Sequence, residues 1–153
     1  MQLSNFLSIF AIIKTKNNMA DYQEVFADHQ ELFTNFIAEI DSLNSVNIKV
    51  LGNNDLKEVT KIIKANDLLR HESANDVYII LNETLFEPLS DEQKAMVVEE
   101  TVAQIYYDAE KDKISIIKPD FTTFSLLLVK YGHQKCLDLK TLLREMLNSQ
   151  EDN

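Results

Sequence analysis

The sequence predicts a single α+β domain, with about five helices packed on a short three-stranded sheet. Three observations point that way. Long stretches carry apolar residues at the helical interval, and short runs rich in β-branched residues lie between them. Gly52, Pro88, Pro119 and Gly132, the chain's strongest breakers of regular structure, all fall in the connections. A length of 153 residues is the size of one domain, and 45% hydrophobic with 26% charged residues is an ordinary globular balance.

Residues 1–18, MQLSNFLSIFAIIKTKNN, contain one apolar stretch, Phe6 to Ile13, far shorter than the ~20 residues that span a bilayer. Lys14 and Lys16 follow that stretch instead of preceding it, which is the wrong order for a secretion signal. These residues are expected to be an extension ahead of a true start at Met19, leaving a single domain over 19–148 and a frayed tail at 149–153.

From Asp21 to Leu43, Tyr22, Val25, Phe26, Phe33, Phe36, Ile37 and Ile40 fall on one helical stripe. His29 shares it and is expected to be a core or boundary histidine with satisfied nitrogens. Val46 to Val50 alternates as a half-buried strand, and residues 52–55 form a turn cluster. Leu56, Val59, Ile62 and Ile63 then suggest a second, shorter helix, and 66–76 reads as irregular. The continuous run Val77 to Leu81 reads as a buried strand.

Ser90 with Gln93 three residues on is a capping box, followed by an apolar face of Ala95, Val98, Val102, Ile105 and Ala109. This helix is expected to reach about Glu110, before a strand at 113–118. Asp120 is a suitable cap for a helix with Phe121, Phe124, Leu127, Leu128 and Tyr131 on one side, which Gly132 ends. A last helix at 134–147 carries Leu139, Leu142, Leu143, Met146 and Leu147.

The formal charge is -10, and Lys14 and Lys16 lie in the extension, so residues 19–153 carry -12. That balance disfavours nucleic acid, whose phosphates are neutralised by Lys and Arg, and equally an anionic membrane. Cys136 is the one cysteine, which excludes an intrachain disulfide and a multi-thiolate zinc site. With glycine only at 52 and 132 there is no phosphate-cradling loop, and no G-x-S-x-G elbow occurs. His71-Glu72 lacks a second histidine four residues on, and His133 with Cys136 makes two ligands at most.

The ordered set of a strand, Leu89-Ser90-Asp91-Glu92-Gln93-Lys94, an apolar helix, a short strand, Asp120-Phe121-x-x-Phe124 and Tyr131-Gly132 resembles a family of small metallopeptidase-like proteins of phages and bacteria. These are zincin-like and similar in architecture to SprT-like proteases. The resemblance covers about residues 77–132 and implies a zincin-like fold. In that family the capped helix carries His-Glu-x-x-His, and a later His-Asp precedes the next helix. Two histidines four apart share one helix face and one zinc, and the glutamate activates the metal-bound water.

Placed on this chain, the first histidine position is Glu99, the glutamate is Glu100, the second histidine is Ala103, and the later pair is Pro119-Asp120. No family ligand is a histidine here, so the resemblance implies a zincin-like scaffold without its zinc site and without a cofactor. Glu99, on the face toward the metal position, and its neighbour Glu100 are otherwise expected to belong to a solvated acidic stripe. The Tyr106-Tyr107 pair is expected to pack at the core and rim; exposed, it would suit a protein contact.

The function expected is that of a non-catalytic phage-type protein acting through protein–protein contacts, as a virion component or a modulator of a host enzyme. A basic protein would suit the acidic surface, and the apolar side of 134–147 leaves self-association open. The expected location is the host cytoplasm or the virion. The alternative is a hydrolase with an altered or non-zinc site using Glu100 and Asp120; an acidic DNA mimic ranks last.

Overall fold

The computed structural model describes residues 22–118 and 125–151. The fold is α+β, as expected. In chain order come α1 (Ala27–Ala38), a 3-10 turn (Asp41–Leu43), β1 (Ile48–Gly52), β2 (Thr60–Lys64), α2 (Asp67–Ser73), β3 (Val77–Leu81), α3 (Glu83–Phe86), α4 (Asp91–Val102), β4 (Ile105–Asp108), β5 (Lys113–Ile116), α5 (Ser125–Tyr131) and α6 (His133–Glu151).

β3 is the centre of the three-stranded sheet, in the order β1-β3-β2. It runs parallel to β1, with Ile48 opposite Val77, and antiparallel to β2, with Ile62 opposite Ile79. All five of its residues are buried, because both edges are paired and both faces covered. Val77, Ile79 and Leu81 face the main core, with Phe33, Val50, Phe86, Val97, Val102 and Leu139. Tyr78 and Ile80 face a smaller cluster of Leu51, Ala65 and Leu69. The strand's period of two thus divides the two cores.

Three expectations need correction. Residues 56–63 are not a helix: Thr60–Lys64 is an antiparallel edge strand. Ile62 and Ile63 satisfy either period, and the open edge of β3 decides in favour of the strand. Residues 66–76 are not irregular, since Asn66 caps α2 by accepting the Leu69 N–H at 2.9 Å. That helix ends on Ala74 with φ 58°, a left-handed residue that is not glycine and so leaves little sequence signal.

The helix opened by Ser90 stops at Val102 instead of Glu110, and Ile105–Asp108 pairs with Lys113–Ile116 as a hairpin. The predicted capping box is present, with reciprocal Ser90 and Gln93 bonds. The last helix runs on through Glu151. α3 is an additional single turn, too short to show a helical period in the sequence.

Gly52 and Gly132 earn their places differently. At Gly52 the segment before α1 exchanges two backbone hydrogen bonds with β1, Gln23 N–H to Gly52 O at 2.9 Å and Gly52 N–H to Gln23 O at 2.7 Å. A Cβ there would lie 3.0 Å from the Gln23 Cγ. Gly132 has φ +86° and separates α5 from α6, as its C-terminal position predicted. Residues 1–18, Pro119, Asp120, Phe121 and Phe124 lie outside the described residues.

Candidate functional site

α4 carries the residues at which the resembled family would hold zinc. Its capped start fixes the helix phase, so Glu99 and Glu100 leave adjacent positions about 100° apart. They are not a solvated stripe: their side chains are 14% and 12% exposed. Glu99 Oε1 accepts from the Lys130 ammonium of α5 and from the Tyr131 hydroxyl at 2.7 Å. Glu100 takes Lys140 of α6 on both carboxylate oxygens, at 2.6 and 2.5 Å. Near the helix start Glu92 pairs with Lys135 at 2.6 Å. The acidic side of α4 is therefore laced to lysines of α5 and α6, and this lacing corrects the expected exposure.

The electrostatics follow from the pairs. The hydrogen bond to Glu99 holds the Lys130 ammonium above its usual range. Burial pushes the Tyr131 phenol up, and its bond to Glu99 acts in the same direction. Ala103 is the C-cap of α4, its N–H bonded to Glu99 O at 2.9 Å, and it presents only a methyl group. Pro119 and Asp120, the remaining family positions, lie outside the described residues.

Beside Glu100, between β2, α4 and α6, lies a cleft of about 480 Å³ lined by Glu58, Thr60, Glu100, Gln104, Lys140 and Arg144, among others. Thr101 is buried at its edge, where its hydroxyl donates to Val97 O at 2.7 Å and lies 2.8 Å from the Thr60 hydroxyl. With the lysine on both oxygens of Glu100, the cleft presents no free carboxylate at that position to activate water.

The other singled-out residues separate. His71 sits exposed on α2. His133 is exposed at the start of α6, whereas Cys136 is buried with its thiol 3.6 Å from Leu127 O, so the two do not converge. Burial pushes the Cys136 thiol up, with the Glu100 charge adding to it and Lys140 opposing. A folded-state value above the unfolded one means a stability contribution fully present below about pH 8.5, the ordinary cysteine pKa, and lost as pH rises through the folded value. Cys136→Ala is accordingly expected to flatten the fall of the thermal midpoint above about pH 8.5. An unchanged slope would show that the thiol is not the group responsible.

Tyr106 and Tyr107 point to opposite sides of the β4–β5 hairpin. Tyr107 packs against the core and its hydroxyl donates to Asp112 at 2.8 Å, while Tyr106 is exposed. Ile117 is exposed too, and its N–H donates to Gln104 O at 2.7 Å, which extends the ladder by one pair. The register then puts Tyr106 and Ile117 on one outward face as diagonal neighbours.

No family model, curated protein or solved structure matches the chain. Among the described residues, no helix is long and apolar enough to cross a membrane.

Proposed function

We propose that this protein is a non-catalytic, phage-type protein on a metallopeptidase-like scaffold, working through protein–protein contacts as a virion component or a modulator of a host enzyme. The observation that carries this reading is the closure of α4. Glu99 and Glu100 are each occupied by a lysine, and Ala103 offers no ligand atom. The outward hairpin face with Tyr106 and Ile117 supports the second half, since exposed aromatic and aliphatic groups side by side suit a protein partner. The charge of -10 favours a basic one.

The alternative, a hydrolase with Glu100 as base, requires Lys140 to leave both carboxylate oxygens. Incubation with casein and a mixed peptide library, with Zn²⁺, Mn²⁺, Mg²⁺ or Ca²⁺ added, is expected to give no cleavage above that of Glu100→Ala. Cleavage that this variant abolishes overturns the proposal. Tyr106→Glu, on an exposed position, is expected to keep the thermal midpoint and to lose a partner that the unaltered chain retains on an affinity column.

A further inference from the structure

α1 brings a buried histidine against the α3 turn. His29 is 1% exposed, yet both ring nitrogens meet carboxylates: Nδ1 lies 2.5 Å from Glu83 Oε2 and Nε2 lies 2.5 Å from Glu87 Oε2. The two carboxylates differ in kind. Glu83 is buried and also accepts the Phe26 N–H at 2.9 Å on the same oxygen, which holds that carboxylate in place. Glu87 has a largely exposed side chain that can move. Asp28, exposed at the start of α1, places its carboxylate beside them, and one ligand atom from each of Asp28, His29 and Glu87 lies within 4.8 Å of the others.

We propose that Asp28, His29 and Glu87 form a binding site for a first-row divalent cation, with Zn²⁺ the preferred ion. The arrangement has the logic of a built metal site. A ligating histidine donates its second ring N–H to a carboxylate, which fixes the tautomer and turns the free lone pair outward. Glu83 is placed to accept that N–H at Nδ1, and at Nε2 the metal replaces the hydrogen bond that His29 makes with Glu87. One imidazole nitrogen and two carboxylate oxygens suit zinc better than the all-oxygen shells of Ca²⁺ or Mg²⁺.

Zinc–ligand bonds of about 2.0–2.2 Å set ligand atoms roughly 3.3 Å apart in a tetrahedron, so Glu87 must retreat from Nε2 by less than about 1 Å. Its exposure allows that. Lys94, whose ammonium lies 3.7 Å from Glu87 Oε2 and over the Phe86 ring, is the cation that the metal must outcompete at this carboxylate. The metal would tie the first turn of α1 to the segment after α3 and keep one coordination position open to solvent.

The test uses the full chain, stripped with chelator and titrated with Zn²⁺ by calorimetry, with the thermal midpoint followed in parallel. One equivalent is expected to bind, and binding to the native state must raise the midpoint. Asp28→Ala and Glu87→Ala, both at exposed positions, are each expected to weaken binding at least tenfold while folding normally. Glu100→Ala is expected to leave the zinc affinity unchanged. Cobalt offers a second readout, a visible absorption of tetrahedral intensity that His29→Gln abolishes. No binding, or binding undiminished in the Asp28→Ala/Glu87→Ala double variant, overturns the assignment. Loss of binding in Glu100→Ala also overturns it, by placing the metal at α4.

Discussion

Phe86→Ala is expected to lower the unfolding free energy by about 3–5 kcal/mol, the usual cost of truncating a buried phenylalanine. Phe86 is completely buried in a single turn that only just qualifies as a helix. Its ring lies 6.3 Å from that of Phe33, and the His29 imidazole meets it edge-on at 4.9 Å. Lys94 sits over the ring, 5.6 Å from its centre, so a cation–π contact is lost as well. β3 and α1 are held by other contacts and cannot collapse far into the space, which keeps the cavity open. Against a total stability of about 5–15 kcal/mol for a domain, this is a large share. Urea unfolding reads it as a lower midpoint at unchanged slope. A loss below about 1 kcal/mol would show that the site refills, because cavity cost scales with what remains empty.

Glu83→Ala is expected to cost a similar amount, about 2–5 kcal/mol, for a different reason: two donors lose their acceptor, at about 1–3 kcal/mol for each one left buried and unsatisfied. The Glu83 side chain is 5% exposed and receives both the His29 ring nitrogen and the Phe26 N–H. Truncation leaves the Phe26 N–H and the His29 Nδ1 side without that acceptor, beside the buried Phe86 ring. Glu83→Gln retains a carbonyl for the Phe26 N–H and is expected to recover part of the loss. Equal destabilisation by Ala and Gln would assign the whole effect to the charge, and no destabilisation by either would mean that the His29–Glu83 bond contributes nothing net.

The two substitutions adjoin in space through His29, so their effects are not expected to add. A double-mutant cycle between Phe86→Ala and Glu83→Ala would measure that coupling. It would also separate packing around the imidazole from hydrogen bonding to it.

Elements with a strong local signal are legible in the sequence. Val77 to Leu81 is an uninterrupted apolar run, and it is the central buried strand with those limits. Ser90 and Gln93 form the capping box that their spacing requires, and Gly132 stands where a left-handed residue is needed. His29 on an apolar helical stripe is a buried histidine with both nitrogens engaged. In each case the determining interaction is local, or is burial alone, and residue type and period suffice to specify it.

Elsewhere the local signal is ambiguous, and tertiary structure chooses. Thr60 to Lys64 could turn as a helix or extend as a strand, and the free edge of β3 selects the strand. Ile105 continues the apolar face of α4 by period, but its chain leaves the helix two residues earlier to pair with Lys113–Ile116. The candidate site divides in the same way. Sequence alone places Glu99, Glu100 and Ala103 on one helix and establishes that no histidine stands among them. It carries no trace of Lys130 and Lys140, which reach those carboxylates from 31 and 40 residues away, or of Glu83 and Glu87 at His29, 54 and 58 residues on. Charge pairing has no sequence period, so only the packing of α4 against α5 and α6, and of α1 against α3, decides which carboxylates meet lysine and which meet imidazole.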